Sequence, residues 1–556
     1  MEAEGNRPMT FDDVLTKYRR IAFSESDKGA RFERLMRIYL LSDSLYASRF
    51  TKVWLWKDFP FRKDFGGKDT GIDLVALEPT GDYWAIQCKC YAEDATIDKP
   101  EVDSFLATSG KSFLDDSLQS VTFAHRLWIS TTNRWNGQAE DTIHGQRPPV
   151  NRINLTYLRQ APVQWDKIER GVSGAASLQP KKKLKDHQKV ALENAHEHYK
   201  TAARGKMIMA CGTGKTLTAL KIAEHETHGK GTVLLLVPSI ALLGQALREW
   251  SAEAAEPLNA ICVCSDADVS QRRTQSDDTS GFSVEDLALP ASTNIQSILS
   301  QFSRFRKERT GGMTVVFSTY QSIKVVADAQ KALAAQVGGG SVFDIIICDE
   351  AHRTTGVTLA GADESAFVKV HDDAFIRGKK RLYMTATPRI YGDESKVKAK
   401  EADAAICSMN DAATYGEEFY RIGFGEAVEK NLLADYKVLV LTLREDQIPP
   451  ALQRAIASGQ TEINTDDASK LIGCINALSK RTLLDAAILT ETDPDPMRRA
   501  VAFCQSIKVS KKITNIFNTY KDAYYGSLAP ADRELVVNID AHHIDGGLPP
   551  NCWTLS

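Results

Sequence analysis

A glycine-rich loop, Met209–Thr216, is the segment of this sequence best suited to hold a polyphosphate. The loop lies between an apolar stretch and a helical pattern, so its backbone N–H groups can face phosphate oxygens. Lys215 adds a positive charge against the outer phosphates, and the hydroxyl of Thr216 can bind Mg²⁺. The residues that let the backbone approach the phosphates are Gly212, Thr213 and Gly214.

An acidic segment, Asp349–His352, follows the apolar run Phe343–Cys348. Its two carboxylates therefore emerge at the carboxyl end of a predicted buried strand, where ligands bind on open parallel sheets. Asp349 is suited to hold Mg²⁺ through water, and Glu350 to activate an attacking water. Together with the glycine-rich loop, this segment predicts a site that binds and hydrolyses ATP.

Further motifs occur in an order and spacing that strengthen this prediction. Upstream, Gln188 precedes a helical pattern and is positioned to contact the adenine edge. Downstream, three polar segments each follow a short apolar strand: Val237–Ser239, Ser318–Ser322 and Thr385–Thr387. The set resembles the DEAH-box branch of superfamily 2 helicases and translocases. The resemblance implies that His352, Thr385 and Thr387 couple the nucleotide state to the DNA path.

A second group of reactive residues lies near the amino terminus, in two predicted strands around a turn centred on Thr80. In such a hairpin Asp73 and Gln87 are directly opposed, because each lies seven residues from the centre. Strand alternation places Lys89 on the same face as Gln87, and the opposite face is predicted to hold Ile72, Leu74, Ile86 and Cys88. A carboxylate, an amide and an ammonium group would then converge. Asp73, with the carbonyl oxygen of Cys88, could hold Mg²⁺, and Lys89 could orient the attacking water.

This hairpin resembles the PD-(D/E)xK nucleases of the Mrr-like type, which present Gly-x-Asp followed by Gln-x-Lys. The resemblance implies that a glutamate on the preceding helix completes the site, and Glu33 occupies the matching position. Gln87 replaces an acidic ligand of other nucleases of this class, so weaker metal binding is expected.

Bulk composition describes an ordinary water-soluble protein of several domains. The chain has 556 residues, 43% hydrophobic and 25% charged, with a formal net charge of −3. A path for duplex DNA must therefore be a local basic stripe, for which Lys181–Lys183 and Lys379–Arg381 are candidates, although such runs are also common on linkers and surface loops. The absence of a signal peptide and of a long apolar run predicts a cytoplasmic protein with no membrane span.

The ten cysteines are scattered, and several lie in apolar strands, including Cys88, Cys348 and Cys504. This usage indicates reduced thiols in a cytoplasm. Two pairs of neighbouring cysteines, Cys88/Cys90 and Cys262/Cys264, have C-x-C spacing, unlike the C-x-x-C of zinc ribbons, so no zinc site is expected there.

We predict an α/β protein in which a restriction-endonuclease-like domain precedes RecA-like doubly wound parallel-sheet domains, the second incomplete. The predicted boundaries are a nuclease domain at 1–170, a linker at 171–183, a first RecA-like domain at 184–430 with an insertion or mobile loop at 265–312, and part of a second at 431–556. Strands of the second RecA-like domain are predicted at Tyr436–Leu441, Arg499–Phe503 and Glu534–Asn538.

A nuclease fused to a DEAH-box translocase resembles the amino-terminal part of type ISP restriction-modification enzymes. The resemblance implies an ATP- and Mg²⁺-dependent motor on double-stranded DNA with an endonuclease that restricts foreign DNA. Methyltransferase and target-recognition parts, which follow in that family, are absent, and the arginine-bearing helix expected after Gly547 is not found. We therefore expect a fragment or a truncated form whose motor activity is uncertain.

Two other interpretations remain open at this point. One is the motor subunit of a type I restriction enzyme, which also carries its nuclease before the helicase. The other is a non-catalytic DNA-binding remnant or regulatory module that binds nucleotide without turnover. An RNA helicase is disfavoured, because no segment resembles an RNA-binding module.

Overall fold

The structure is a computed structural model. It describes residues 7–66, 71–265, 282–308, 311–337, 342–359, 365–392, 404–435, 473, 500–504, 507–526 and 541. Among these residues, no helix combines the length and the apolar character that crossing a membrane requires.

The amino-terminal domain contains a six-stranded mixed sheet. Its strands are β1 (Lys52–Leu55), β2 (Leu74–Leu77), β3 (Tyr83–Lys89), β5 (Ser112–Leu114), β6 (Ser120–Ser130) and β8 (Val150–Ile153), and a separate ladder joins β4 (Thr96–Ile97) to β7 (Arg134–Trp135). The strand order is β1-β2-β3-β6-β5, with β8 paired to β6. The helices are α1 (Phe11–Ile21), α2 (Glu25–Leu40), α3 (Ser44–Ala47), α4 (Lys99–Ser109), α5 (Gly137–Ile143), α6 (Leu155–Arg159) and α7 (Trp165–Glu169).

Helix α2 forms where the sequence provides both a cap and an apolar face. The hydroxyl of Ser24 accepts a hydrogen bond from the backbone N–H of Asp27 (3.1 Å), which satisfies one of the donors left open at the first turn. The buried residues of α2 recur at helical spacing and comprise Phe32, Leu35, Met36, Tyr39 and Leu40. This face packs on β1 and β3, so the helix lies against the strand that carries Gln87 and Lys89.

The second domain is a seven-stranded parallel sheet. Its strands are β9 (Arg204–Met209), β10 (Thr232–Val237), β11 (Asn259–Val263), β12 (Thr314–Thr319), β13 (Phe343–Cys348), β15 (Gly378–Thr385) and β17 (Glu417–Ile422), and β14 (Gly356–Leu359) forms a separate antiparallel pair with β16 (Ala404–Cys407). The order β11-β12-β10-β13-β15-β9-β17 places β13, β15 and β9 side by side. Their carboxyl ends carry the acidic segment, the Thr385–Thr387 segment and the glycine-rich loop, so the sheet topology gathers all three motifs at one edge.

Helices cover this sheet, as its apolar strands require. They are α8 (Asp186–His198), α9 (Lys215–Glu226), α10 (Ile240–Glu253), α11 (Ile295–Glu308), α12 (Ile323–Val337), α13 (Ala412–Tyr415) and α14 (Phe424–Glu429). A further helix, α15 (Ile507–Gly526), lies in the carboxyl-terminal part of the chain. The strand predicted at Phe343–Cys348 coincides with β13, and β10, β12 and β15 each end in one of the three polar segments predicted to follow a strand.

Three other predictions have different outcomes. The predicted strands Tyr436–Leu441 and Glu534–Asn538 lie outside the described residues, and residues 500–503, part of the third, are not in a strand. The predicted insertion at 265–312 contains a short 3₁₀ helix (Val284–Asp286) and the whole of α11, so its described part is not a loop. The predicted linker at 171–183 contains a 3₁₀ helix, Gly174–Ser177, because the backbone N–H of Gln164 donates to Ser177 and anchors the segment.

The two domains meet at a buried carboxylate, that of Glu78, which lies in the turn of the β2–β3 hairpin. Its side chain accepts hydrogen bonds from Arg49 (2.8 Å) and from the indole of Trp84 (2.8 Å). Arg304 of α11, in the second domain, forms an ion pair with the other carboxylate oxygen. Burial acts to raise the pKa of Glu78, but the two guanidinium groups outweigh it and lower the pKa. The carboxylate therefore stays charged at the centre of the interface.

A second buried ion pair strengthens the same interface. Arg152 of β8 binds Asp286 through two hydrogen bonds, one of them 3.0 Å long. The hydroxyl of Tyr46 donates to the carbonyl of Ala288 (2.8 Å). Residues 286–288 are thus fixed against the nuclease-like sheet by groups that are all buried or nearly so.

We expect Glu78→Gln to lower the free energy of unfolding by about 3 kcal/mol, because it removes a buried anion that pairs with two nearly buried guanidinium groups. Thermal unfolding of the purified chain, followed by circular dichroism, measures the effect. The matched control is Arg7→Ala, which removes an exposed ion pair with Asp13 and should cost no more than about 0.5 kcal/mol. Equal melting temperatures for the two variants would contradict the role given to Glu78.

Candidate active sites

The glycine-rich loop connects β9 to α9 in a conformation that depends on glycine. Gly212 and Gly214 adopt left-handed backbone angles, with φ of 82° and 87°. A side chain at Gly212 would also meet Leu433 at 2.9 Å. Lys215 and Thr216 begin α9, so the N–H groups of its first turn lie beside the loop, as a phosphate site requires.

Two side chains of α8 hold the loop from the outside. The imidazole of His187 is 2.8 Å from the carbonyl of Thr213, and the amide of Gln188 donates to the carbonyl of Gly214 (3.2 Å). The carbonyl oxygen of the Gln188 side chain accepts from the backbone N–H of Lys185 (2.9 Å). Gln188 therefore contacts the loop, while its predicted adenine contact stays a prediction, and His187 is a contact that the sequence analysis missed. Its position next to Gln188 in the sequence could have indicated that His187 also contacts the loop.

The neighbouring carboxylates of Asp349 and Glu350 experience opposite electrostatic environments. Burial, followed by the charge of Glu350, raises the pKa of Asp349 to about 6. A hydrogen bond from His352 and the charge of Lys215 lower the pKa of Glu350, against the effect of burial. Lys215 acts on both carboxylates, so the loop lysine and the acidic segment lie close together. Glu350 also has a left-handed backbone (φ 46°), an uncommon conformation for a residue that is not glycine.

His352 connects the acidic segment to the end of β15. Its Nδ1 is 2.9 Å from the hydroxyl of Thr385 and 3.4 Å from a carboxylate oxygen of Glu350. The Thr385 hydroxyl also accepts from the backbone N–H of Thr387 (3.2 Å). The structure therefore brings together the residues for which the family resemblance implied a coupling role.

The second site lies on the hairpin of β2 and β3. The strands pair as Leu74 with Ile86 and Leu77 with Tyr83, which confirms the register centred on Thr80 and extends to the pair Asp73 and Gln87. One carboxylate oxygen of Asp73 accepts hydrogen bonds from the Gln87 side chain and from the backbone N–H of Cys88 (2.7 Å). A role for the Cys88 carbonyl as a metal ligand stays a prediction.

The buried thiol of Cys88 reports the charges around this hairpin. Burial raises its pKa well above the ordinary value, and the carboxylates of Asp73 and Glu33 raise it further, whereas Lys89 lowers it. The charged groups of Asp73, Glu33 and Lys89 therefore all lie close enough to Cys88 to affect its pKa. Glu33 reaches it from α2, which packs on β3. A pair of acidic groups beside an ammonium suits a divalent cation with oxygen ligands, so the residues present fit Mg²⁺.

One prediction about the hairpin was wrong. Ile72 was placed with Leu74 and Cys88, but it packs with Val75 in a different core cluster. The reason is that β2 begins at Leu74, so strand alternation does not extend back to Ile72. Gly71, just before it, has φ of 79°, and a side chain there would approach Ser104 to 3.1 Å.

Tyr91 and Glu101 are neighbours of this site that the sequence analysis missed. The Tyr91 hydroxyl donates to Glu101, and burial raises the pKa of Tyr91, helped by nearby carboxylates that include Asp73. Tyr91 lies two residues after Lys89, and this spacing could have indicated that its side chain lies near the site.

The two basic runs differ in exposure, since Lys181–Lys183 are all exposed, and their part in a DNA path stays a prediction. Lys181 donates to the carbonyl of Ala255 (3.0 Å), beyond the end of α10. Lys379 forms an ion pair with Asp344 (2.7 Å), and Arg381 is 2% exposed, with its guanidinium group donating to the carbonyl of Ile376. Arg381 therefore cannot line a DNA path.

Comparisons with known proteins agree with this division into two sites. Residues 41–175 match the family Mrr_cat_2, described as restriction endonuclease. Residues 181–390 match the family ResIII, described as type III restriction enzyme, res subunit. No curated protein is significantly similar to the chain.

Two solved structures share substantial sequence identity with the chain. One is the ATP-dependent type ISP restriction-modification enzyme LlaBIII bound to DNA, with 35% identity, a TM-score of 0.73, and coverage of 94% of this chain and 32% of that chain. The other is a nuclease-deletion mutant of the type ISP enzyme LlaGI in complex with a DNA substrate mimic, with 36% identity, a TM-score of 0.41, and coverage of 61% and 22%. The chain thus spans about a third or less of the length of these relatives.

The raised pKa of Asp349 leads to a pH prediction. A carboxyl with a pKa of about 6 is ionised above that pH and protonated below it, so its affinity for Mg²⁺ should fall as the pH drops through 6. We expect the Mg²⁺ concentration needed to bind a fluorescent non-hydrolysable ATP analogue to rise towards about tenfold per pH unit below pH 6.

Two variants test the assignment to Asp349. Asp349→Asn should bind Mg²⁺-nucleotide weakly and lose this pH dependence, after allowance for titration of the nucleotide itself. Glu350→Gln should keep the dependence but move its midpoint to lower pH, because the charge of Glu350 raises the pKa of Asp349. Identical profiles for wild type and Asp349→Asn would refute the assignment.

Proposed function

The chain combines a restriction-endonuclease domain with a helicase-type ATPase domain, as type ISP restriction-modification enzymes do, and from this premise we propose that it couples ATP-driven movement along duplex DNA to Mg²⁺-dependent cleavage of that DNA. The observation that carries the proposal is the presence of two separate charged sites in one packed unit, each on the domain whose family it suits. Restriction of foreign DNA is the process in which both activities serve one purpose.

In the motor site, Lys215 and the first turn of α9 would hold the phosphates, with Gly212 and Gly214 allowing close approach. Bound Mg²⁺ would neutralise phosphate charge, held by Thr216 and by Asp349 through water. Glu350, whose pKa is lowered, is ionised and can accept a proton from the attacking water. Gln188 is assigned the adenine contact.

In the nuclease site, Glu33, Asp73, Gln87 and the Cys88 carbonyl would surround Mg²⁺, which would stabilise charge on the scissile phosphate. Lys89 orients the attacking water or stabilises the developing negative charge. The side-chain amide of Gln87 donates a hydrogen bond to the carboxylate of Asp73 and so holds it in place. The amide oxygen of Gln87 can in addition serve as an uncharged metal ligand. Affinity for Mg²⁺ should therefore be lower than with a second carboxylate at this position.

The two activities can be separated by paired variants of the purified chain on linear duplex DNA. Lys215→Ala should reduce DNA-stimulated ATP hydrolysis at least about 100-fold, since it removes a charge that stabilises the transferring phosphoryl group. Asp73→Ala should reduce Mg²⁺-dependent cleavage by a similar factor and leave ATP hydrolysis intact. Phosphate release and gel analysis of the DNA measure the two outcomes.

The matched controls are Lys230→Ala and Asp82→Ala, which remove exposed residues of the same types on the same domains, away from each site. Nucleotide binding without turnover in the wild-type chain would favour a non-catalytic nucleotide-binding module. Cleavage that survives Asp73→Ala would refute the nuclease assignment.

The contact between His352 and Thr385 should couple the state of the bound nucleotide to the binding of DNA. We expect His352→Ala and Thr385→Ala each to lower the ratio of DNA-stimulated to basal ATP hydrolysis about fivefold or more, and the double variant to lose little beyond either single one. Thr385→Ser keeps the hydroxyl and should restore most of the ratio. Additive losses in the double variant would mean that the two residues act independently.

A further inference from the structure

A cluster of three potential metal ligands lies away from both sites, at the carboxyl-terminal ends of α8 and α9. It consists of His196, His225 and Glu226, whose ligand atoms all lie within 4.8 Å of one another. The Nδ1 atoms of His225 and His196 are 3.0 Å and 3.8 Å from the same carboxylate oxygen, Oε1 of Glu226. The two imidazole rings meet edge to face, with centroids 4.2 Å apart.

These spacings match the ligand separation around a tetrahedral ion. Bonds of about 2.0–2.1 Å from Zn²⁺ to nitrogen or oxygen place neighbouring ligand atoms about 3.3 Å apart. The two measured separations from Glu226 lie on either side of that value. Small rotations of the two histidine side chains, which are 43% and 40% exposed, are enough to close the cluster around an ion.

The surroundings fix the carboxylate and leave room for an ion. The Glu226 side chain is 5% exposed, and its second oxygen, Oε2, forms an ion pair with Lys380. That contact orients Oε1 towards the imidazoles, while the ammonium charge weakens cation binding, so affinity should be below that of closed structural zinc sites. The cluster lies at the carboxyl-terminal ends of two helices, where the helix dipole favours a cation.

We propose that His196, His225 and Glu226 bind a transition metal ion of the Zn²⁺ type, with water in the remaining position. Two imidazole nitrogens and one carboxylate select such ions over Mg²⁺ and Ca²⁺, which prefer oxygen ligands. The site links the far ends of the two helices whose opposite ends carry Gln188 and Lys215. The bound ion stabilises this helix pair and is separate from the Mg²⁺ of either proposed active site.

The test is Zn²⁺ binding to the full chain by isothermal titration calorimetry, with Co²⁺ absorption spectra as a second probe. Wild type should bind one ion that His225→Ala loses with at least a tenfold drop in affinity, and His196→Ala should behave in the same way. Saturating Zn²⁺ should raise the melting temperature of wild type by at least about 2 °C and leave that of His225→Ala unchanged. Excess Mg²⁺ should not compete.

The matched control is His228→Asn, at an exposed histidine three residues from His225. His228 has a left-handed backbone (φ 51°), which asparagine tolerates, so this variant should fold and bind Zn²⁺ as wild type does. The proposal is overturned if wild type shows no saturable Zn²⁺ binding, or if binding survives both His225→Ala and His196→Ala. Binding that persists in those variants would be assigned to the cysteine thiols instead.

Discussion

The buried carboxylate of Glu78 is the contact on which the arrangement of both sites depends. It lies in the turn of the β2–β3 hairpin, and its partners come from both domains, Arg49 from the nuclease domain and Arg304 from α11 of the motor domain. A buried ion has to be paired to be tolerated, and here pairing requires that the domains stay together. The same hairpin carries Asp73 and Gln87 at its open end, so the interface and the nuclease site share one small element. The position of the proposed nuclease site is therefore tied to the motor domain through this one hairpin.

The motor site illustrates how one sheet edge can give two adjacent carboxylates different properties. Asp349 is buried beside a second negative charge, and its pKa rises, whereas Glu350 is paired with His352 and its pKa falls. A residue with a raised pKa gains most from a bound cation, because the cation removes the unfavourable charge burial. A residue with a lowered pKa remains an anion without help and can accept a proton. The proposed division of roles between metal holding and water activation thus follows from environment, although both side chains carry the same functional group.

Local pattern was enough to predict much of this arrangement from the sequence. The hairpin register followed from the count of residues about Thr80, and the motor strands followed from apolar runs that end in polar motifs. What failed depended on contacts between distant segments. Ile72 changed clusters because the strand starts later than alternation suggested, and Arg381 is buried because Asp373 and the carbonyl of Ile376 provide partners that sequence spacing cannot reveal. Helix α11 lies in a segment that was predicted as an insertion or mobile loop, and its contact with the nuclease domain depends on the ion pair between Arg304 and Glu78.

The shared interface also limits how ATP turnover can control cutting. Separating the nuclease domain from the first motor domain would expose or unpair Glu78, Arg304, Arg152 and Asp286, at a cost of several kcal/mol for each broken buried pair. A cycle that repeated such a separation at every ATP hydrolysed would spend most of its free energy on the interface. Under the proposed function, we therefore expect these two domains to move along DNA as one body, with the nuclease site carried along. Under the same proposal, control of cleavage has to come from where the two domains stop on the DNA or from what they meet there.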